Sequence, residues 1–262
     1  MPAIRLTELR REMEALAGLW GEPQAFAARL AALLQRYGDR IYRPGQSAAA
    51  PATPAYHLPP AAFQLIWQHL RQAALQRPAE ALPLAQALWQ EAHLEPRLLA
   101  ARLLGLAPPT AEARTRFWAW LQEAQDPRVQ QALLHQGSLR MVREVPAAFL
   151  EDIQNHLNAS RRSALLALAV LAAEPTFENG PALYRVLRPA LLQLRPEERP
   201  EATQVLRTLA QRWPQEVGLF LQRVWQEAQG DAAHAAPLAW VLRRVVAQLP
   251  PETRPSLPPA RP

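Results

Sequence analysis

Proline recurs in this chain where apolar periodicity begins. The pairs Glu22-Pro23, Arg77-Pro78, Glu95-Pro96, Asp126-Pro127 and Trp213-Pro214 each open a stretch with apolar residues three or four apart. Proline suits the first turn of a helix, where its missing N–H would have had no partner, and it pushes the residue before it out of helical conformation. Most of the 27 prolines therefore read as helix starts. Ala and Leu dominate between them, which favours helix over sheet because these side chains lose least freedom in a helix. The spacing predicts helices near 7–20, 23–38, 59–76, 78–92, 95–104, 110–124 and 127–136, then 146–158, 160–173, 181–194, 197–212, 214–228 and 235–248.

That many helices with short connections cannot form a simple four-helix bundle. They suggest an all-α solenoid of stacked antiparallel hairpins, each pair burying its apolar face against the next. "LWQEAHLEPRLLAARLL" and "LAQRWPQEVGLFLQRVW" share helix, turn, proline and helix without a strict period. Tetratricopeptide and ankyrin consensus residues are missing, so the expected type is HEAT-like or armadillo. The expected divisions are an N-terminal helical hairpin over 1–38, a Pro/Ala-rich linker over 39–57, a repeat domain over 58–249 and a disordered Pro-rich tail over 250–262.

Several chemistries are excluded at this level. Without cysteine there is no disulfide framework, thiol nucleophile or thiolate metal site, which fits a reducing cytoplasm. No two of the six histidines lie three or four apart on one helix, so neither metal nor cofactor is expected. Neither a Gly-x-Ser-x-Gly turn nor a Gly-rich phosphate loop occurs. No charged-then-apolar leader or long uncharged apolar run is present, so the expectation is a cytoplasmic, monomeric protein that does not enter membranes.

All 29 basic side chains are arginine and the formal net charge is +6. Guanidinium stays charged and grips phosphate in a fork, which suits a surface tracking a phosphate backbone. Of the eight tryptophans, most sit in apolar-periodic positions and read as core. Trp118 and Trp120 stand two apart on one helix and cannot face the same way, so one of them is expected at a groove or interface.

Three motifs in order carry a resemblance. "AYHLPPAAFQLIW" looks like a Tyr-Gly-Val-x-x-Pro segment with His57 in place of Gly. "LWQEAHLEPRLLAARLL" is similar to a "Leu-Trp … His-Glu-x-Arg-x-x-Ala" hairpin through Leu88, Trp89, His93, Glu95, Arg97 and Ala100. "VLRTLAQRWPQEVGLFL" is similar to "Val-Leu-Arg … Pro-x-x-Val" through Val205, Leu206, Arg207, Pro214 and Val217. Over about Tyr56 to Val246 the chain thus resembles the DNA alkylation-repair family of HEAT-like-repeat glycosylases, the AlkD type.

The resemblance implies a basic concave face that holds duplex DNA and, in an active member, removal of N3- or N7-alkylated purines without a cofactor. The family's Trp and Asp four apart are not matched, and Gln204 stands where a Trp precedes Val-Leu-Arg. Asp126 is the one acid in the expected segment, and before Pro127 it reads as a helix cap. Arg161 or Arg162 matches the family's arginine. The expectation is duplex-DNA binding through Arg161, Arg162, Arg207, Trp118 and Trp120 without release of the base, Asp126 being the catalytic candidate should a base be excised. The alternative is a protein–protein scaffold of the HEAT or armadillo type.

Overall fold

The computed structural model describes residues 6–38 and 53–258. Among these residues there is no β-strand, and the protein is all-α. Two units follow one another, Met1–Met141 and Val142–Pro262.

The first unit contains α1 (Leu6–Leu16), α2 (Pro23–Tyr37), α3 (Pro60–Gln76), α4 (Pro78–Trp89) and α5 (Leu94–Leu104), then α6 (Ala111–Glu123) and α7 (Pro127–Ala132). A π-helical turn, Leu133–Gly137, follows α7 and leads into α8 (Leu139–Glu144), which the sequence reading did not expect. Helices pack on their neighbours in the chain, α4 on α5 most extensively, and also on alternate helices: α1 on α3, α3 on α5 and α5 on α7, with α2 on α4. The second unit contains α9 (Pro146–His156), α10 (Arg161–Ala173), α11 (Gly180–Leu192), α12 (Arg199–Arg212), α13 (Pro214–Ala228) and α14 (Ala232–Val245). Here too α10 packs on α12, α12 on α14 and α11 on α13. The faces between them are Leu- and Ala-rich: Leu99, Leu103, Leu165, Leu168, Leu206 and Leu209 are fully buried.

Prolines sit in the first turn of α2, α3, α4, α7, α9, α11, α12 and α13. The corners before three of them are nearly the same. Arg77 and Trp213 both take φ −134° and ψ 63°, and Val145 takes φ −135° and ψ 49°. Each is the residue before a proline, excluded from helical ψ by the ring, so one residue suffices to reverse the chain.

These corners belong to a period hidden in the sequence. Helices α4, α6, α9, α11 and α13 start at residues 78, 111, 146, 180 and 214, at intervals of 33, 35, 34 and 34. Their partners α3, α5, α7, α10, α12 and α14 start at 60, 94, 127, 161, 199 and 232. The one long interval, before α12, contains the 3-10 turn Pro196–Glu198, which runs straight into that helix. The sequence shows no strict period because side chains and helix lengths vary while the spacing of helix starts is nearly constant.

Parts of the two segments expected to be irregular lie against helices. The linker is expected over 39–57; residues 39–52 lie outside the described residues, but 53–57 is docked. Thr53 is buried, the Pro54 carbonyl accepts the Leu94 N–H at 2.8 Å, and Tyr56 stacks on His93 at 4.0 Å. The buried Glu95 carboxylate accepts the backbone N–H groups of Tyr56 and Leu58 at 2.9 and 3.3 Å. His57, standing where the resembled motif has Gly, takes φ 55°, the left-handed region that glycine enters at least cost.

The tail is expected to be disordered from 250, yet Pro251–Ser256 is a 3-10 helix on α13. Gly218 makes this possible, since a Cβ there would stand 2.7 Å from the Thr253 methyl. Gln222 also donates to the Thr253 carbonyl at 3.0 Å. Residues 259–262 lie outside the described residues.

Candidate functional site

The residues expected to bind DNA do not form an available set. In the first unit, Trp118 and Trp120 are both buried, at 2% and 4% exposure, so neither reaches a groove. They do face different ways, but α6 is covered on both sides. Trp120 stacks on Trp89 with centroids 4.6 Å apart, and Trp118 packs edge-on to Phe117. Arg97 is likewise committed: its guanidinium lies over the Trp89 ring and pairs with Glu123 at 3.4 Å.

Asp126 is the N-cap of α7. Its Oδ1 accepts the Arg128 backbone N–H at 2.9 Å, and both carboxylate oxygens accept from the Arg128 guanidinium at 3.0 and 2.8 Å. Those hydrogen bonds hold its pKa below the ordinary carboxylate value. The carboxylate is ionised and fully engaged within two residues of itself.

In the second unit, Arg161 donates to the Gln193 carbonyl at 2.7 Å and pairs with the buried Glu198 at 3.5 Å. Arg162 pairs with the buried Glu201. Arg207 is exposed on α12, without a hydrogen bond or ion pair among the described residues.

A site that sequence reasoning missed lies in the first unit. Helix α3, the end of α5 and the π-helical turn enclose a cleft of about 420 Å³. Gln64, Trp67 and Arg71 line it from α3, Arg102 from α5, and His135 and Gln136 from the π-helical turn. A trough of about 490 Å³ along α3 shares Gln64, Trp67 and Arg71 and continues to Leu75, which is 60% exposed.

Arg102 is half-buried and lies over the rings of Phe63 and Trp67, 5.0 and 5.3 Å from their centroids. Its Nε donates to Gln136 Oε1 at 2.8 Å, and it has no carboxylate partner among the described residues. Burial lowers its pKa from the usual arginine value. Arg71 is exposed and likewise makes no ion pair among the described residues. No lining residue of the cleft or trough is acidic.

The lining follows the 34-residue period. Gln68, Arg102 and Gln136 stand at equivalent places in successive helical pairs, as do Arg71, Gly105 and Leu139. The cleft is therefore one face of the α3–α5–α7 layer, not an accident of a single loop. Its floor requires glycine. A Cβ on Gly105 would stand 1.8 Å from the Gln136 carbonyl oxygen, and one on Gly137 would stand 3.1 Å from that of Ala101. This close approach accompanies the π-type bond from Ser138 N–H to Leu133 O at 2.9 Å. The wider turn leaves His135 and Gln136 exposed at the cleft, and π-turns of this kind recur at functional sites.

Among the described residues no group of three His, Asp or Glu side chains is placed to hold a metal ion, and no helix is long and apolar enough to cross a membrane. Comparison with family models, curated proteins and solved structures finds no match.

Proposed function

We propose that each unit is a stack of helical hairpins of the α-solenoid kind and that the protein is a non-catalytic scaffold binding another protein. The alternate-helix packing and the regular helix starts support the first part. The pair of about 34 residues is shorter than the roughly 40–47 of HEAT and armadillo units and has the length of a tetratricopeptide pair. One observation carries the second part: a half-buried guanidinium, Arg102, without a carboxylate partner among the described residues, in a cleft walled by Trp67. Desolvating a cation is costly unless something pairs with it, so such a group is poised for a ligand.

Duplex-DNA binding, which the resemblance implies, has narrower support. Of its five expected residues Arg207 alone is exposed and without an ion pair among the described residues; Arg162 is exposed but paired. The readings separate in one experiment. A random 12-residue peptide display library is panned on the full chain and on Trp67→Ala, and labelled duplex DNA is titrated against both and against Arg207→Ala. The scaffold reading expects peptides retained by the wild type and lost with Trp67→Ala. Steeply salt-dependent duplex binding that Arg207→Ala weakens and Trp67→Ala leaves alone, with no peptide retained, would overturn it.

A further inference from the structure

Resting on the scaffold reading, we infer that the α3–α5–π-turn cleft receives an acidic peptide segment, its carboxylates on Arg71 and Arg102 and an apolar side chain against Trp67. Charge complementarity points first to an anion. The two arginines lack ion-pair partners among the described residues, and no acid lines the cleft. Arg102 is also oriented: two aromatic rings and the Gln136 side chain hold it, with Nε used and its terminal nitrogens left to donate. A fixed guanidinium matches a carboxylate through two parallel hydrogen bonds and loses little freedom in doing so.

The rest of the lining favours a peptide over a nucleic acid. Gln64 and Gln136 stand beside the arginines, and a primary amide offers both donor and acceptor, as a peptide bond does. Along α3 the exposed Gln64, Gln68, Gln72 and Gln76 repeat every fourth residue, a rise of about 6 Å. Same-face groups of an extended chain recur every ~6.7 Å, close enough for flexible glutamines to follow. Leu75 and Trp67 add apolar surface on the same helix. A nucleic acid asks for different features. Arg102 already covers a face of Trp67, which removes a stacking platform. Duplex DNA presents about one charge per 1.7 Å, against which two arginines are sparse.

The test uses the full chain. Peptides recovered from the random 12-residue library are sequenced, and the most enriched are labelled with fluorescein and titrated by anisotropy. Acidic residues should be enriched, with an apolar residue near them. Arg102→Gln and Arg71→Gln should each weaken binding roughly ten-fold or more, as expected for a charge-assisted hydrogen-bond pair. Exposed Arg71 can be replaced without disturbing the core, so its variant remains decisive if Arg102→Gln unfolds. Arg71→Glu should select for basic residues.

Recovered peptides that are neutral or basic, or that bind both arginine variants as tightly as the wild type, would overturn the acidic-segment inference while leaving the scaffold reading intact. Failure to retain any peptide would overturn both. Tighter binding of a single-stranded oligonucleotide than of any peptide, weakened by Arg71→Gln, would reassign the cleft to nucleic acid.

Discussion

Trp89 and Trp120 lie face to face, ring centroids 4.6 Å apart and planes within 7° of parallel. Both are buried, the Trp89 indole N–H donates to Glu123 at 3.0 Å, and Arg97 caps the pair from the side. The stack joins the hairpin at 88–105 to α6, making that hairpin a packing unit. Trp120→Ala should therefore cost about 3–5 kcal/mol in urea unfolding. A loss below about 1 kcal/mol would mean that the ring is not part of the core.

Gly105→Ala should strongly destabilise the first unit, because the new methyl meets the Gln136 carbonyl at 1.8 Å and backbone must move. Overpacking of this kind costs about 1–3 kcal/mol or more. Gly18→Ala, with nothing within 4 Å, is the control and should leave the melting temperature unchanged or higher. Equal melting temperatures for the two variants would contradict the close approach.

Glu95 links the docked segment before α3 to the start of α5. Glu95→Ala leaves the Tyr56 and Leu58 N–H groups without their acceptor, at a cost of about 1–3 kcal/mol for each that stays buried. Hydrogen exchange should accelerate at those two amides and not at Ala62, whose N–H bonds to the Pro59 carbonyl. Unchanged protection at Tyr56 would contradict the assignment.

Asp126 gives a pH-dependent prediction. Hydrogen bonds from Arg128 hold its folded pKa below the ordinary value, and the unfolded value is about 3.9. Its ionised form therefore stabilises the fold above the unfolded pKa, and this contribution disappears as pH falls through the lowered folded pKa. Asp126→Asn keeps a capping oxygen but not the charge. It should be less stable than wild type at roughly pH 6, with the gap shrinking below roughly pH 4. Asp126→Ala should lose about 1 kcal/mol more through the cap. A gap that grows in acid would contradict the ion pair.

The helices were legible because their signal is local: a proline in the first turn and apolar residues on one face. The π-helical turn was not, since it accompanies Gly105 and Gly137 meeting backbone more than thirty residues away. The arginines misled for the same reason. Arg161 and Arg162 open α10 as if free, but Glu198 and Glu201, which neutralise them, lie one helical pair further on. Trp118 and Trp120 do point to opposite sides of α6, as their spacing requires, but cover on the second side depends on neighbours. The cleft combines both cases: Trp67 and Arg71 share an α3 face that helical spacing displays, whereas Arg102 joins them through packing alone.

The central claim, that the α3–α5–π-turn cleft is the binding surface, is tested most directly by two-dimensional proton–nitrogen NMR of the full chain as an enriched acidic peptide is added. The account predicts that the Trp67 indole and the Gln64 side-chain amide shift in saturable fashion, while the Trp225 and Trp240 indoles on α13 and α14 stay in place. Shifts confined to α13 and α14, with Trp67 and Gln64 unmoved at saturating peptide, would contradict it.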